Sequence, residues 1–184
     1  LSPYGTSKML AERHIRRYER SKKIQNSAAL TIFNVYGPGN VSQSDVISKF
    51  AGRIVKGLPP IIYGDGRHTR DFVYVGDVAN AILLSVKYME TKRNDNENLN
   101  FSPVFNIGSG TGTSINEIAR KMIVLSSLQV EPIYQSEDQD SGVILHSYAN
   151  VAKTKKTLRF AATKELEEGL KEVVEQKNFQ GQKT

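Results

Sequence analysis

The residues with the most chemical promise stand at the start of the chain. Tyr4 and Lys8 place a phenol and an ammonium four residues apart, one above the other on a helix face. A fixed positive charge beside a phenol favours the phenolate, so the pair can take up and return a proton. An ordinary phenol titrates near ~10, and a base working near neutrality needs roughly 4 kcal/mol of help. The same spacing recurs at Tyr18/Lys22 and Tyr88/Lys92, so context has to choose. Tyr4 follows Ser2-Pro3, and Gly5, Thr6 and Ser7 are small enough to let a ligand approach. Tyr18 sits inside a charged helix and Tyr88 at a helix end, and both read as packing or surface tyrosines.

Other polar residues carry plainer readings beside any functional one. Arg70 fits a surface arginine of a hairpin as well as a ligand contact. Asn34 precedes a turn, where the side chain usually serves the backbone. Asp77 reads as a helix N-cap before it reads as a catalytic acid. His14, His68 and His146 are scattered without metal-ligand spacing, and no metal is assigned. The absence of cysteine excludes a disulfide framework, a thiolate zinc site and a cysteine nucleophile. Gly108-Ser-Gly110-Thr-Gly112 follows a strand and precedes a helix, like a dinucleotide loop. In the G-x-G-x-x-G spacing, however, the third glycine falls at 113, which is threonine. An anion at that helix start is a minor reading.

These residues hang on alternating strands and helices. A helix runs from the Ser2–Ser7 loop to about Lys23. Ser27 to Val35 is an apolar, β-branched run of buried-strand length, stopped by Tyr36-Gly37-Pro38-Gly39-Asn40. Asp45 to Lys56 has helical spacing, with an acid before it and Gly57 after it. Pro60–Tyr63 and Thr69–Val75 read as two strands of a hairpin around Gly64–His68. Asp77 caps a helix over about 78–89, and Glu90 to Ser102 is a polar loop. A strand follows at Val104–Ile107, then a helix opened by the capping box Ser114-x-x-Glu117. Val130–Gln135 is a strand, Asn150 caps a short basic helix, and Thr163 to Lys177 forms the last helix. This alternation predicts an α/β fold.

The 184 residues carry 25 Lys and Arg against 19 Asp and Glu, and the composition is that of a soluble globular chain. No apolar run reaches membrane-spanning length, and residues 1–3 do not begin a signal peptide, so the expected setting is cytoplasmic. Seven basic residues between Lys8 and Lys23 face only Glu12 and Glu19. Aromatics do not interleave with these charges as a nucleic-acid platform requires. The solvated face of an amphipathic helix, with Met9, Leu10, Ile15 and Tyr18 turned inward, is the better reading, and nucleic acid is not an expected partner.

Three blocks in order carry a resemblance: Ser2-Pro-Tyr4-Gly-Thr-Ser-Lys8, Ile32-Phe-Asn34-Val-Tyr-Gly-Pro-Gly, and Ile62-Tyr63-Gly-Asp-Gly-Arg-His-Thr-Arg70-Asp-Phe-Val-Tyr-Val-Gly-Asp77. Phe105-Asn-Ile-Gly-Ser-Gly, Ser114-Ile-Asn-Glu-Ile-Ala and His146-Ser-Tyr-Ala-Asn continue it. The chain resembles the extended short-chain dehydrogenase/reductases. Within them it is most similar to the NAD-dependent nucleotide-sugar epimerase/dehydratase branch of UDP-glucose 4-epimerase-like proteins.

The resemblance implies the C-terminal part of a doubly wound Rossmann-like sheet plus a small α/β substrate-binding domain. Residues 1–40 and 77–128 would belong to the NAD-binding domain, and 41–76 and 129–184 to the substrate domain. Tyr4 would act as acid and base on the sugar hydroxyl, with Lys8 favouring its phenolate and reaching the nicotinamide ribose. Phe33 and Val35 would lie beside the nicotinamide end of NAD. Asn34 and Arg70 would meet the substrate diphosphate, a task suited to a guanidinium fork. The Ser44–Val46 segment, with Val46, and Tyr63 would border the nucleotide base. The implied reaction is NAD-dependent epimerisation of a UDP-glucose/UDP-galactose-like nucleotide sugar through transient oxidation at C4. The implied assembly is a homodimer through the first helix.

The chain departs from the family in two places. Gln139 to Leu145 lacks an arginine that often gives a second diphosphate contact, and Arg159 replaces a glycine that usually ends the short basic helix. In the family the glycine loop and the catalytic Ser or Thr precede the Tyr motif, so the isolated chain is expected to bind NAD weakly or not at all and not to turn over sugar nucleotide. The alternatives are a nucleotide-sugar 4,6-dehydratase or decarboxylase, and a non-catalytic remnant or ligand sensor.

Overall fold

The computed structural model describes residues 3–21, 27–39, 45–94, 103–136 and 144–181. The apolar run expected as one strand forms two, β1 (Ala29–Ile32) and β2 (Asn34–Tyr36). β1 runs parallel to β6 (Val104–Ile107), with Ile32 beside Ile107. β2 runs parallel to β5 (Phe72–Tyr74), with Asn34 beside Phe72. The change of partner falls at Phe33. Its N–H donates to the Ile107 carbonyl at 2.9 Å, and the next N–H, of Asn34, donates to the Asp71 carbonyl at 3.0 Å. The result is the expected mixed α/β structure with parallel strand pairs.

The expected hairpin around residues 64–68 does not form. β3 (Ile61–Tyr63) pairs in parallel with β8 (Ile133–Gln135). β4 (Thr69–Arg70) lies between β7 (Thr113–Ser114), antiparallel to it, and β9 (His146–Ser147), parallel to it. The intervening loop docks elsewhere instead of closing on itself. Asn116 donates from its N–H to the Gly66 carbonyl at 3.0 Å and from Nδ2 to the Asp65 carbonyl at 2.9 Å.

Two apolar cores hold these strands. In the first, α2 (Val46–Ile54), α4 (Ile115–Leu125) and α6 (Leu166–Gly181) bury Ile47, Phe50, Ile118, Met122 and Leu170 around Ile62 and Phe72. In the second, Val73, Phe105, Ile107 and Phe160 pack with α3 (Val75–Asn94) and α5 (Ala152–Leu158). Each fully buried side chain of this kind contributes about 1.5–3 kcal/mol. Neighbouring residues of β5 face opposite sides of the strand, so Phe72 enters the first core and Val73 the second. The packing departs twice from the expected chain division. α4 joins α2 and α6 although it lies within 77–128, and α5 joins α3 and β6 although it lies within 129–184. The cause is stripe matching: Ile115, Ile118, Ala119, Met122 and Ile123 form one face that fits Ile47, Phe50, Ala51 and Ile54 of α2.

Most helix starts follow the sequence. Asp45 Oδ1 caps α2 by accepting from Ser48 N–H at 2.9 Å, and Ser114 Oγ caps α4 through Glu117 N–H at 3.1 Å. Glu117 itself faces Lys121 at 3.7 Å. Asn150 is not the cap of α5: the N-cap is Val151, without a side-chain cap bond, and Asn150 Oδ1 instead makes a tight local turn by accepting from Ala152 N–H at 3.1 Å. Asp77 is not a cap. α3 begins at Val75, and the buried Asp77 carboxylate accepts from Thr163 N–H at 3.1 Å, Thr163 Oγ at 2.9 Å and Lys164 N–H at 3.1 Å. It orders the lead into α6, which starts at Leu166 where residue 163 was expected. α3 also continues to Asn94, through the first part of the stretch expected as a loop, whose remainder (95–102) lies outside the described residues. In α1 (Pro3–Arg20) Met9 and Ile15 are half-buried, but Leu10 and Tyr18 are exposed and no residue is buried. The described residues lay no second apolar layer over that face.

α6 is latched to the strand ends. Tyr74 donates its hydroxyl to Glu172, Lys164 pairs with Glu172 at 2.8 Å and Glu168 at 3.2 Å, and Gln176 Oε1 accepts from Gly39 N–H at 2.9 Å. Gly169 lets Tyr36 approach, since a Cβ there would stand 2.6 Å from the phenol oxygen. Burial, and then the nearby Asp77 charge, push the Tyr36 phenol up.

Two predictions follow from this packing. Arg159 ends α5 at φ 54° and ψ 28°, the left-handed region that costs a non-glycine residue about 1–2 kcal/mol. Arg159→Gly is expected to raise stability in urea unfolding by about 0.5–1 kcal/mol, because glycine's greater freedom in the unfolded chain offsets part of the gain. The hydrogen bond from Lys164, and after it that from Tyr74, hold the Glu172 carboxyl below its ordinary range. A depressed carboxyl contributes stability above its unfolded value and loses it as pH falls through the folded value. Glu172→Gln is therefore expected to lower the melting temperature at pH 7 and to lower it less at pH 3. Equal losses at both pH values would count against the ion pair.

Candidate functional site

A cavity of about 320 Å³ lies where β2, α2, β3, β4 and β5 meet. Asn34, Val46, Tyr63 and Arg70, the four residues expected to face substrate, all line it, together with Lys49 and Phe50 of α2. Val35, expected beside a nicotinamide, lines the same cavity. Phe33, Tyr4 and Lys8 are not among its lining residues, and Ser44 lies outside the described residues.

Each lining side chain has a local cause for its position. Val46, Lys49 and Phe50 stand at i, i+3 and i+4 and so share one face of α2, whose first turn the Asp45 cap fixes. Asn34 is tied twice to the Asp71 carbonyl, through its N–H at 3.0 Å and its Nδ2 at 3.1 Å. The backbone-serving reading of this residue therefore holds, and its amide carries a second N–H donor besides. The Nη1 of Arg70 donates to the Thr69 carbonyl at 2.8 Å and the Ile144 carbonyl at 2.7 Å. This sets the guanidinium plane, so Arg70 is not a loose hairpin arginine. Tyr63 ends β3 with its ring exposed. Lys49 and Arg70 outnumber Asp45 on the walls, while Phe50, Ile62 and Phe72 make the remainder apolar. Such a cavity suits an anionic group joined to a flat or apolar one.

Tyr4 and Lys8 lie side by side on α1, as their spacing requires. Lys8 Nζ lies 5.3 Å from the Tyr4 ring centroid, within cation–π range. Tyr4 is 72% exposed, open to a ligand. Tyr88 has Lys92 at 5.9 Å but stacks edge-on against Phe105, as a packing tyrosine does. Lys22 lies outside the described residues. Among the described residues, no three or more His, Cys, Asp or Glu side chains cluster closely enough to hold a metal ion. Among them also, no helix is long and apolar enough to cross a membrane.

Sequence reasoning missed Asp71. It is fully buried, and among the described residues no cation pairs with it. Its Oδ1 accepts from Ser109 N–H and Ser109 Oγ, both at 2.7 Å. Its Oδ2 accepts from Gly110 N–H at 2.9 Å and Ala149 N–H at 3.0 Å. The signal was present as an acid between Arg70 and the apolar Phe72-Val73, a strand position that no exposed acid needs. This bonding also rules out the phosphate reading of Gly108–Gly112, because the N–H groups of 109 and 110 already bind an anion, the Asp71 carboxylate.

Comparison with known proteins gives a consistent set of likenesses. Residues 1–108 match the family described as NAD dependent epimerase/dehydratase. Identity is 37% over 176 residues with a relative from Methanocaldococcus jannaschii, covering 95% of this chain and 52% of the relative. The UDP-glucose 4-epimerase of Mycoplasma genitalium is 32% identical over 182 residues, covering 91% of this chain and 51% of that protein. The structure of Thermotoga maritima UDP-glucose 4-epimerase with UDP-glucose superposes with a TM-score of 0.84 at 31% identity, over 100% of this chain and 55% of that one. MoeE5 in complex with UDP-glucose and NAD gives 0.82 at 32% identity, over 98% and 56%. The chain spans about half the length of the curated relatives it matches.

Asp71→Asn is expected to lower stability by about 2–4 kcal/mol, read from the urea midpoint. The new NH₂ would face N–H donors and leave them unpaired. A loss below about 1 kcal/mol would show that these four bonds do not hold the strand ends.

Proposed function

The chain belongs to the NAD dependent epimerase/dehydratase family, and from that premise we propose that it is part of a nucleotide-sugar 4-epimerase acting on a UDP-hexose of the UDP-glucose/UDP-galactose type. The observation that carries this reading is the cavity that brings Asn34, Val46, Tyr63 and Arg70 together. Arg70, oriented by two carbonyls, meets the diphosphate with a fork of donors. Asn34 offers its second amide N–H to the same group. Val46 and Tyr63 border the base.

The residues present fit one end of NAD. Tyr4 and Lys8 stand exposed one turn apart, and Phe33 and Val35 flank the point where β1 gives way to β2. The loop at 108–110 offers nothing to a pyrophosphate, since Asp71 fills it. When bound, NAD supplies an acceptor for hydride from the sugar C4 and a donor for its return to the other face. Tyr4 Oη accepts the proton of the C4 hydroxyl as the carbonyl forms, and returns it when the alcohol is restored. Lys8 stands one turn from that tyrosine and reaches the nicotinamide ribose. α1 buries no residue, and its exposed Leu10 and half-buried Met9 and Ile15 form the surface on which a second copy would pack.

The test uses the native protein that carries this chain, supplied with UDP-galactose and NAD. Tyr4→Phe is expected to reduce epimerisation by about 100-fold or more, the range for losing a positioned acid–base group, with UDP binding unchanged. Turnover within a few-fold of the parent would remove Tyr4 from the chemistry.

A further inference from the structure

The diphosphate proposed for the cavity is doubly charged, whereas Arg70 brings one cation with Nη1 already bonded to two carbonyls. A second cation stands on the same wall set. Lys49 projects from α2 at i+3 from Val46 and lines the cavity. Its neighbour Asp45 is engaged as the helix cap, accepting from Ser48 N–H at 2.9 Å. Lys49 has no ion pair or side-chain hydrogen bond among the described residues, unlike Lys121, which lies 2.5 Å from Glu167, or Lys164. A solvated surface lysine needs no partner, but Lys49 lines a cavity whose remaining polar wall is Asn34, Tyr63, His68 and Arg70. The face of α2 that presents it also buries Phe50 in the first core, so the helix cannot roll to carry Lys49 away.

We propose that Lys49 is a second anion contact of this cavity, closing on the substrate diphosphate together with Arg70. This rests on the nucleotide-sugar reading of the cavity and adds to it the residue that neutralises the second charge. The ammonium is a compact point charge on a flexible stem, and Arg70 a fixed fork. Arg70 therefore sets where the diphosphate lies, and Lys49 follows it and holds it. Interactions of this kind strengthen binding by roughly tenfold or more per charge-assisted contact.

The experiment titrates the native protein and its Lys49→Gln and Lys49→Arg variants with UDP, UMP and uridine by calorimetry. For Lys49→Gln, UDP affinity is expected to fall about tenfold, with UMP less affected, uridine unchanged and the melting temperature unchanged. Lys49→Arg, which restores the charge, is expected to recover most of the loss. Equal UDP affinity in parent and Lys49→Gln overturns the proposal and leaves the nucleotide-sugar reading standing. Equal loss for UDP and uridine also overturns it, because Lys49 would then be shaping the cavity and not meeting an anion. A parent that binds none of the three ligands removes the nucleotide-sugar reading itself, and the proposal with it.

Discussion

A single buried carboxylate holds the site end of this molecule together. Asp71 separates β4 from β5 and carries a charge with no access to water. A buried charge is tolerated only when hydrogen bonds replace its hydration. Four donors do so here, from Ser109, Gly110 and Ala149. Those donors belong to the turns that follow β6 and β9, so satisfying one side chain joins three strand ends. The backbone carbonyl of the same residue accepts the main-chain N–H and one Nδ2–H of Asn34, which fixes where β2 begins. Gly108 is part of the arrangement, since a Cβ there would lie 2.6 Å from Asp71 Oδ2. Any side chain at 108 would displace the carboxylate, and with it the loop, β9 and Asn34.

From this tie the two cores take their relation. β5 gives alternate residues to each, Phe72 to one and Val73 to the other, and the cavity lies on the seam between β2 and the α2 side. Each wall is backed by buried packing: α2 by Phe50 and Ile47, β3 by Ile62, and β4 by its pairing with β7 and β9. α6 adds a second tie from outside through Tyr74, Glu172 and the Gln176 bond to Gly39, holding the chain just beyond β2. The residues that line the cavity are therefore set by elements that cannot move independently of one another.

Much of this is legible in the sequence, and the exceptions share one cause. Period, caps and breakers act over a few residues, so α2 with Asp45, α4 with Ser114 and the strand at 104–107 could be read directly. Asn34, Val46, Tyr63 and Arg70 could be named through ordered motifs, and the structure gathers them into one cavity. What failed depends on partners far away in the chain. Gly64–His68 looks like a hairpin loop until Asn116 claims its carbonyls. Asp77 looks like a cap until the amides of Thr163 and Lys164, more than eighty residues on, reach its carboxylate. Asp71 and the glycines at 108 and 110 each looked ordinary or misleading alone, and only their contact explains both.

The cavity and the Tyr4–Lys8 pair are built on different footings. The cavity is framed by two cores and by Asp71, and its shape survives as long as they do. Tyr4 and Lys8 sit on a helix that buries no residue, so core packing does not fix where the phenol points. The chemistry proposed for Tyr4 needs the reacting atoms within about 3–3.5 Å, a precision that an exposed helix cannot supply from its own hydrogen bonds. On the proposed epimerase reading, the registration of Tyr4 with the cavity would come from contacts made over α1, along the face of Met9 and Ile15. Changes on that face would alter turnover without altering the cavity's affinity, whereas changes at Asp71 would alter both, because Asp71 fixes Asn34 and the frame around Arg70 together.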